Sequence, residues 1–402
     1  MTVPNTQFAF GRQMLMPMCI RGAIVGINFG VMIGLAAWLG LTDFGHLAVH
    51  WGLALVVAPV VGFGGPLVLL RTLSNDKGMT LGAVIAQAVT VPASLCVVLV
   101  VISSLFGPAV QWLPIIAVGF CVNFINCLSS LSRAIGNVNG SMVLRDCVPQ
   151  LVLGAAAVSG GNILYWAPAG MIVVAFVYLL WSVRKNAFQN VIRHGGATPV
   201  PSLAMWGTSV LGVVVSQVDI ILGGVLLSPA QVGLYALLRR VANLVALPVS
   251  VATWVTAKDI AAQERIAPIQ HASRVGSRIA LIPGLALASC ALIALPLVPP
   301  EGRMVFVVLI SGAFAQVFFA SAFTVATMRG RPKYAVISRA LSLIVYGIFS
   351  LGVDGMFSNA IAYTMAIIGG SIWLWWQLYR TLGVDTSAAA LRKDRGRIWS
   401  PS

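Results

Sequence analysis

Asp219, Arg239 and Arg240 are charged residues set in apolar surroundings, spaced so that one carboxylate meets a guanidinium. Asp219 lies eight residues before Leu227, and Arg239 lies eight after Gln231, on either side of the turn at Ser228-Pro229-Ala230. With both flanks helical, a rise of 1.5 Å per residue puts both groups about 12 Å from the turn. A charge at mid-membrane costs about 2.5 to 3.5 kcal/mol on insertion scales, so mutual neutralisation is favoured. One arginine suffices. Successive helical residues point about 100° apart, so Arg239 and Arg240 do not both face Asp219 squarely. In one reading one arginine pairs with Asp219 while the other offers its fork to an anionic group in a cavity. In the other, all three form one cluster that holds the helices together. Asp219 is also a candidate for proton or sodium coupling, which an arginine partner would oppose.

Arg21 is a second candidate, about 12 Å into a helix that begins near Gln13, where it either meets phosphate or snorkels to the headgroups. Asn28, Asn126 and Asn243 lead the uncharged candidates, with Gln87, Asn123, Gln217 and Gln316 behind them. Such amides either line a polar cavity or bond across helices. Of the ten acidic residues only Asp219 is expected deep in a span, so a two-carboxylate enzyme would have to recruit loop residues. An enzyme is not expected. His46 and His50 share a helical face near Asp43 with no further ligand close in sequence. The six cysteines show no paired spacing and read as small core residues. Neither metal nor cofactor is expected.

The elements that must position these residues follow from composition. With 402 residues, 59% hydrophobic and 9% charged, and a mean hydropathy of +0.94, the chain is not a soluble fold. Apolar runs of about 18 to 25 residues mark spans. Twelve helices are expected, near 14–39, 48–70, 81–106, 110–131, 143–159, 163–183, 203–227, 231–254, 276–298, 304–327, 335–353 and 357–379. Positive charge falls in every second gap: Arg12, then Arg71 and Lys77, Arg133 and Arg145, then Arg184, Lys185 and Arg193. It continues with Lys258, Arg265, Arg274 and Arg278, then Arg329, Arg331, Lys333 and Arg339, and the tail from Arg380. The other gaps hold only Arg303, which places both termini in the cytoplasm. The same rule accounts for the net charge of +15, so nucleic acid is not an expected partner. Arg392, Lys393, Arg395 and Arg397 read as a topology anchor near anionic headgroups. No cleavage site follows the first apolar run, which is expected to stay as helix 1. Trp38, Trp51, Trp112, Trp166, Trp181 and Trp254 fall at expected span ends, as an aromatic belt does. Pro59, Pro66, Pro92 and Pro248 lie inside spans and mark bends.

The chain also repeats itself. Leu41-Thr-Asp-Phe-Gly45-His-Leu47 is echoed by Ser228-Pro-Ala-Gln-Val-Gly233-Leu-Tyr235, and Arg133-Ala-Ile-Gly136 by Met328-Arg-Gly330, with Arg145 falling on Arg339. Six helices plus six are expected, as parallel repeats about an axis along the membrane normal. The expected organisation is an N-terminal six-helix bundle at 1–185, a cytoplasmic linker at 186–202, a C-terminal bundle at 203–380 and a basic cytoplasmic tail at 381–402.

The segment from Val218-Asp219 through Ser228-Pro-Ala-Gln-Val-Gly233-Leu-Tyr235 to Arg239-Arg240-Val-Ala-Asn243 resembles a hairpin of bacterial polysaccharide-biosynthesis flippases. These Wzx-type proteins belong to the multidrug/oligosaccharidyl-lipid/polysaccharide (MOP) exporter superfamily. Leu247-Pro248 and the turn Thr42-Asp-Phe-Gly45 are similar to that family too, whereas the doubled arginine and compact loops depart from it. The resemblance implies an all-α polytopic protein of about twelve transmembrane helices, in two parallel six-helix bundles around a central cavity. It implies alternating access that moves an undecaprenyl-pyrophosphate-linked glycan across the bacterial cytoplasmic membrane. Membrane lipids, a polysaccharide polymerase and chain-length proteins are the partners it implies. The other readings are a cation-coupled exporter or lipid II flippase of the same superfamily, a membrane polymerase, and a scaffold. The coupled exporter would carry acidic residues in a first-half cavity, where none is expected.

Overall fold

The computed structural model describes residues 6–74, 79–105, 109–158, 163–185, 203–262, 266–329, 331–351 and 355–388. The expected linker at 186–202, Lys77, Arg193, Arg265 and the charges Arg392, Lys393, Arg395 and Arg397 lie outside them. So do the side chains of Arg12, Arg71, Trp254 and Lys258.

Eleven helices are long and apolar enough to cross a membrane. They are α1 (Cys19–Gly62), α2 (Leu81–Ser104), α3 (Val110–Ala134), α4 (Val138–Val158), α5 (Ile163–Arg184), α6 (Leu203–Leu226), α7 (Pro229–Thr253), α8 (Ile266–Ile293), α9 (Pro300–Phe318), α10 (Pro332–Ser350) and α11 (Met356–Leu382). The chain is a multi-pass membrane protein, all-helical among the described residues, because lipid offers no partner to an unpaired backbone group.

The count is eleven rather than the expected twelve because the first two spans are joined. α1 is the apolar part of a 57-residue helix, Thr6–Gly62, broken at Gly40, whose φ of 79° suits a residue without Cβ. Val25 and Leu55 line one cavity, although a straight helix would hold them about 45 Å apart. The chain therefore doubles back at Gly40, and α1 has two arms, each of span length.

Prolines shape the helices that matter here. Wide π turns occur at Ala86–Thr90 in α2 and Val143–Cys147 in α4. Each stands just ahead of a proline, Pro92 or Pro149. Proline lacks an N–H and its ring crowds the carbonyl four residues back, so a widened turn accommodates it. In α7 a 3-10 turn at Leu244–Ala246 breaks the helix just before Pro248. Arg145 and Asp146 sit within the second π turn.

Several charges counted in the gaps lie inside helices instead, among them Arg145 in α4, Arg274 and Arg278 in α8 and Arg339 in α10. Those helices begin with polar turns, such as Asn139 and Ser141 in α4, that hydropathy alone reads as loop. Among the cysteines expected in the core, Cys19 and Cys290 are exposed. Lipid tails are as apolar as a core, so an outward-facing cysteine costs little. Trp38, Trp166 and Trp181 are exposed as belt residues should be, but Trp51 is buried.

The chain packs as two compact units, Met1–Val241 with Gly347–Ala360, and Ala242–Tyr346 with Ile361–Ser402. In the first unit the second arm of α1 runs antiparallel to α6. The Trp206 ring N–H donates to the Pro59 carbonyl at 3.1 Å, Gly52 faces Gln217 and Ile221, and Gly224 faces Val49. Beyond this seam a Cβ on Gly45 would collide with the Pro229 carbonyl, and one on Gly233 with the Leu41 carbonyl. Leu41 and Pro229, like Gly45 and Gly233, stand at the offset of the first sequence echo. The contact is thus reciprocal, as across a two-fold axis. In the second unit Ile260, Ile269, Val325, Leu374 and Leu378 form an apolar core. The chain beyond α11 packs there too, with Val384 and Thr386 buried. The Gln270 amide donates to the Asp385 carbonyl at 2.7 Å and accepts from its N–H at 2.8 Å.

Candidate functional site

Two groups of charged side chains lie within the membrane-spanning part of the first unit. The first is built on α6 and α7. Asp219 is fully buried, and its Oδ2 accepts from Arg239 Nε at 2.9 Å and from the Tyr235 hydroxyl at 2.8 Å. Tyr235 and Arg239 are four residues apart and share a helical face. The Asn359 amide donates to the Asp219 carbonyl at 2.9 Å. Asp219 Oδ1 is buried and accepts no hydrogen bond among the described residues. Arg240, one step round the helix, is half-buried and makes no ion pair or side-chain hydrogen bond among the described residues. Of the two arginines, Arg239 and not Arg240 pairs with the carboxylate among the described residues.

The second group lines a cavity of about 380 Å³. Arg21, Asn28 and Asn126, singled out by sequence, all line it. Trp51, Arg145, Asp146 and Gln150, not singled out, complete its polar wall. Asp146 is its hub. Arg21 Nη1 donates to Oδ2, Arg145 Nε donates to Oδ1 at 3.0 Å and Arg145 Nη2 to Oδ2 at 3.3 Å, while the Asn28 amide donates to the Asp146 carbonyl at 2.7 Å. Arg21 is thus held by a carboxylate of α4, and its helix begins at Thr6 and not near Gln13. The expectation that only Asp219 lies deep in a span, and that no acid lines a first-half cavity, is corrected by Asp146. Its place followed from the π turn ahead of Pro149, which hydropathy does not register. Four wall atoms, Arg21 Nε, Asn28 Oδ1, Trp51 Nε1 and Gln150 Oε1, are buried with no partner among the described residues.

Asn243 falls in the second unit and is exposed. Among the described residues no three His, Cys, Asp or Glu side chains converge on a metal position. Tyr235 was legible as the residue one turn before Arg239, whereas nothing local to Asn359 announces its role.

Pro149→Ala should disturb the cavity without removing a charge. The variant is expected to fold, with α-helical hydrogen bonds restored across 143–147 and the Arg21–Asp146 pair broken. A cryo-EM structure checks this, and an unaltered π turn would show that the proline does not hold it.

The fold is one shared with solved membrane transporters, at low sequence identity. In particular, it is similar to a multidrug resistance MATE transporter of the MOP superfamily in its outward-facing conformation, at 16% identity and TM-score 0.61, over 90% of this chain and 93% of that one. It is similar to the Vibrio cholerae MATE transporter VcmN in its bent form at 17% identity and TM-score 0.60, over 92% and 96%. It is also similar to the lipid II flippase MurJ in an inward closed conformation, at 14% identity and TM-score 0.55, over 90% and 87%. These neighbours are transporters and flippases, not enzymes. No family model matches the sequence, nor does any curated protein.

Proposed function

We propose that this chain is a flippase that carries an undecaprenyl-pyrophosphate-linked oligosaccharide across the bacterial cytoplasmic membrane by alternating access between two six-helix repeats. One observation carries the reading: in one cavity of the first unit two guanidiniums, Arg21 and Arg145, converge on the single carboxylate of Asp146. A surplus of positive charge within a span is costly and suits an anionic cargo. Arg240 and the Arg21–Arg145 pair are the groups proposed to meet pyrophosphate, with Asn28 and Asn126 offering hydrogen bonds to sugar. Asp219 is proposed as the ion-pair partner that keeps Arg239 in place. A polymerase and chain-length proteins would act on the delivered glycan.

The test is the leaflet occupied by lipid-linked glycan in cells lacking the protein, read with an impermeant periodate label on spheroplasts and on inverted vesicles. Cytoplasmic-leaflet accumulation is expected, reversed by wild type and not by well-folded Arg240→Gln. Normal outward display would overturn the reading. A cation-coupled small-molecule exporter is the second reading, favoured by Asp146 in the first-half cavity. It requires drug efflux that collapses with the proton or sodium gradient, while glycan display stays normal.

A further inference from the structure

The cavity around Asp146 has a feature that a simple anion site lacks. A site for a diphosphate needs guanidinium forks, and it has them in Arg21 and Arg145. Yet both oxygens of Asp146 already occupy those forks. A carboxylate left beside a bound diphosphate would repel it, because like charges a few ångströms apart in a poorly hydrated site interact strongly. The wall also holds Trp51, 2% exposed, whose ring N–H has no acceptor among the described residues, and the unpartnered oxygens of Asn28 and Gln150. With Arg21 Nε counted, two unmatched donors and two unmatched acceptors line the wall, which hydroxyl groups satisfy, since each hydroxyl both donates and accepts. Buried polar atoms without partners are rare enough to require an explanation. A volume of about 380 Å³ lies at the small end of ligand pockets, room for a head group and not for an oligosaccharide.

Resting on the flippase reading, we propose that Asp146 is a resident counter-ion, displaced from Arg21 and Arg145 when the diphosphate of a sugar-diphosphate head group enters. Trp51, Asn28 and Gln150 then receive the hydroxyls of its first sugar. No bond is made or broken; one anion replaces another. When the cargo leaves, Asp146 recloses on the arginines and opposes rebinding. The carboxylate thus weakens binding and speeds release, a balance in which tighter binding alone would slow turnover.

The test uses the full-length protein in nanodiscs, with inorganic pyrophosphate as the first probe and a short-chain prenyl diphosphate bearing one hexose as the second. Arg21→Gln is expected to weaken pyrophosphate binding. Asp146→Asn, nearly isosteric but uncharged, is expected to tighten it about tenfold or more while lowering the flipping rate in vesicles. Asp146→Asn that binds pyrophosphate no tighter than wild type, or more weakly, overturns the counter-ion role. Trp51→Phe supplies an independent readout if Asp146→Asn does not fold. It should leave pyrophosphate binding unchanged and weaken the hexose probe several-fold, and equal affinity for that probe would overturn the sugar contact. If pyrophosphate behaves as expected but glycan display is normal in cells lacking the protein, the subsite stands and the flippase reading falls. If flipping is confirmed and Asp146→Asn fails to tighten binding, the counter-ion role falls alone.

Discussion

Arg239→Gln is expected to remove most folded protein from the membrane, whereas Arg240→Gln should fold normally and fail to flip. The neighbours differ because of where the helix points them. Arg239 Nε is 2.9 Å from Asp219 Oδ2, with the two side chains 5% and 0% exposed. Breaking a buried pair by removing one partner costs about 3 to 5 kcal/mol, since the other charge stays buried without compensation. That is a large part of the about 5 to 15 kcal/mol that holds a typical protein folded. Tyr235 would still donate to Asp219, but a neutral hydroxyl does not replace a guanidinium. Replacing both ends, as in Asp219→Leu with Arg239→Leu, should recover much of the loss, because matched apolar groups avoid the stranded charge. Fluorescence-detected size exclusion with thermal midpoints reads stability, and the leaflet assay reads transport. Equal loss of folded protein in Arg239→Gln and Arg240→Gln would show that both arginines are structural ties.

The second large effect is expected at the glycine pair. Gly45→Val or Gly233→Val should each destabilise the first unit by about 1 to 3 kcal/mol or more, the cost of overpacking a close contact. Any Cβ at Gly45 meets the Pro229 carbonyl, and any at Gly233 meets the Leu41 carbonyl. Both obstacles are backbone, which cannot rotate away as a side chain does. Since the two sites touch, the double variant should lose less than the sum of the single losses. Wild-type thermal midpoints in both single variants would refute the close approach. Gly45 and Gly233 stood out in the sequence as equivalent points of a repeat, yet their contact with each other is a property of the assembled helices.

Much of the fold was legible because lipid simplifies the problem. With no water to satisfy the backbone, each apolar run must close its own hydrogen bonds as a helix, so span number follows from hydropathy. Gly40 is the informative exception: two spans are one helix in the chain, and a single φ of 79° separates the expected twelve from the observed eleven. Asp219 and Arg239 were legible as a pair because a hairpin makes depth a matter of counting residues. Arg21 and Asp146 were not, being 125 positions apart. Asp146 and Arg145 fell only at the edge of their expected span, since the polar first turn of α4 hides where that helix begins.

By itself, the sequence determined a multi-pass helical membrane protein, one buried acid–base pair and a set of polar candidates within its spans. Only the tertiary structure decided that Arg239 and not Arg240 takes Asp219, that Arg21 meets Asp146, and that Trp51 turns inward to a cavity instead of outward to the interface. Hydrogen bonding along one helix is local and readable from composition. Which faces of which helices meet is settled by packing between distant segments, through π turns, proline positions and glycine contacts that shift a side chain by a fraction of a turn.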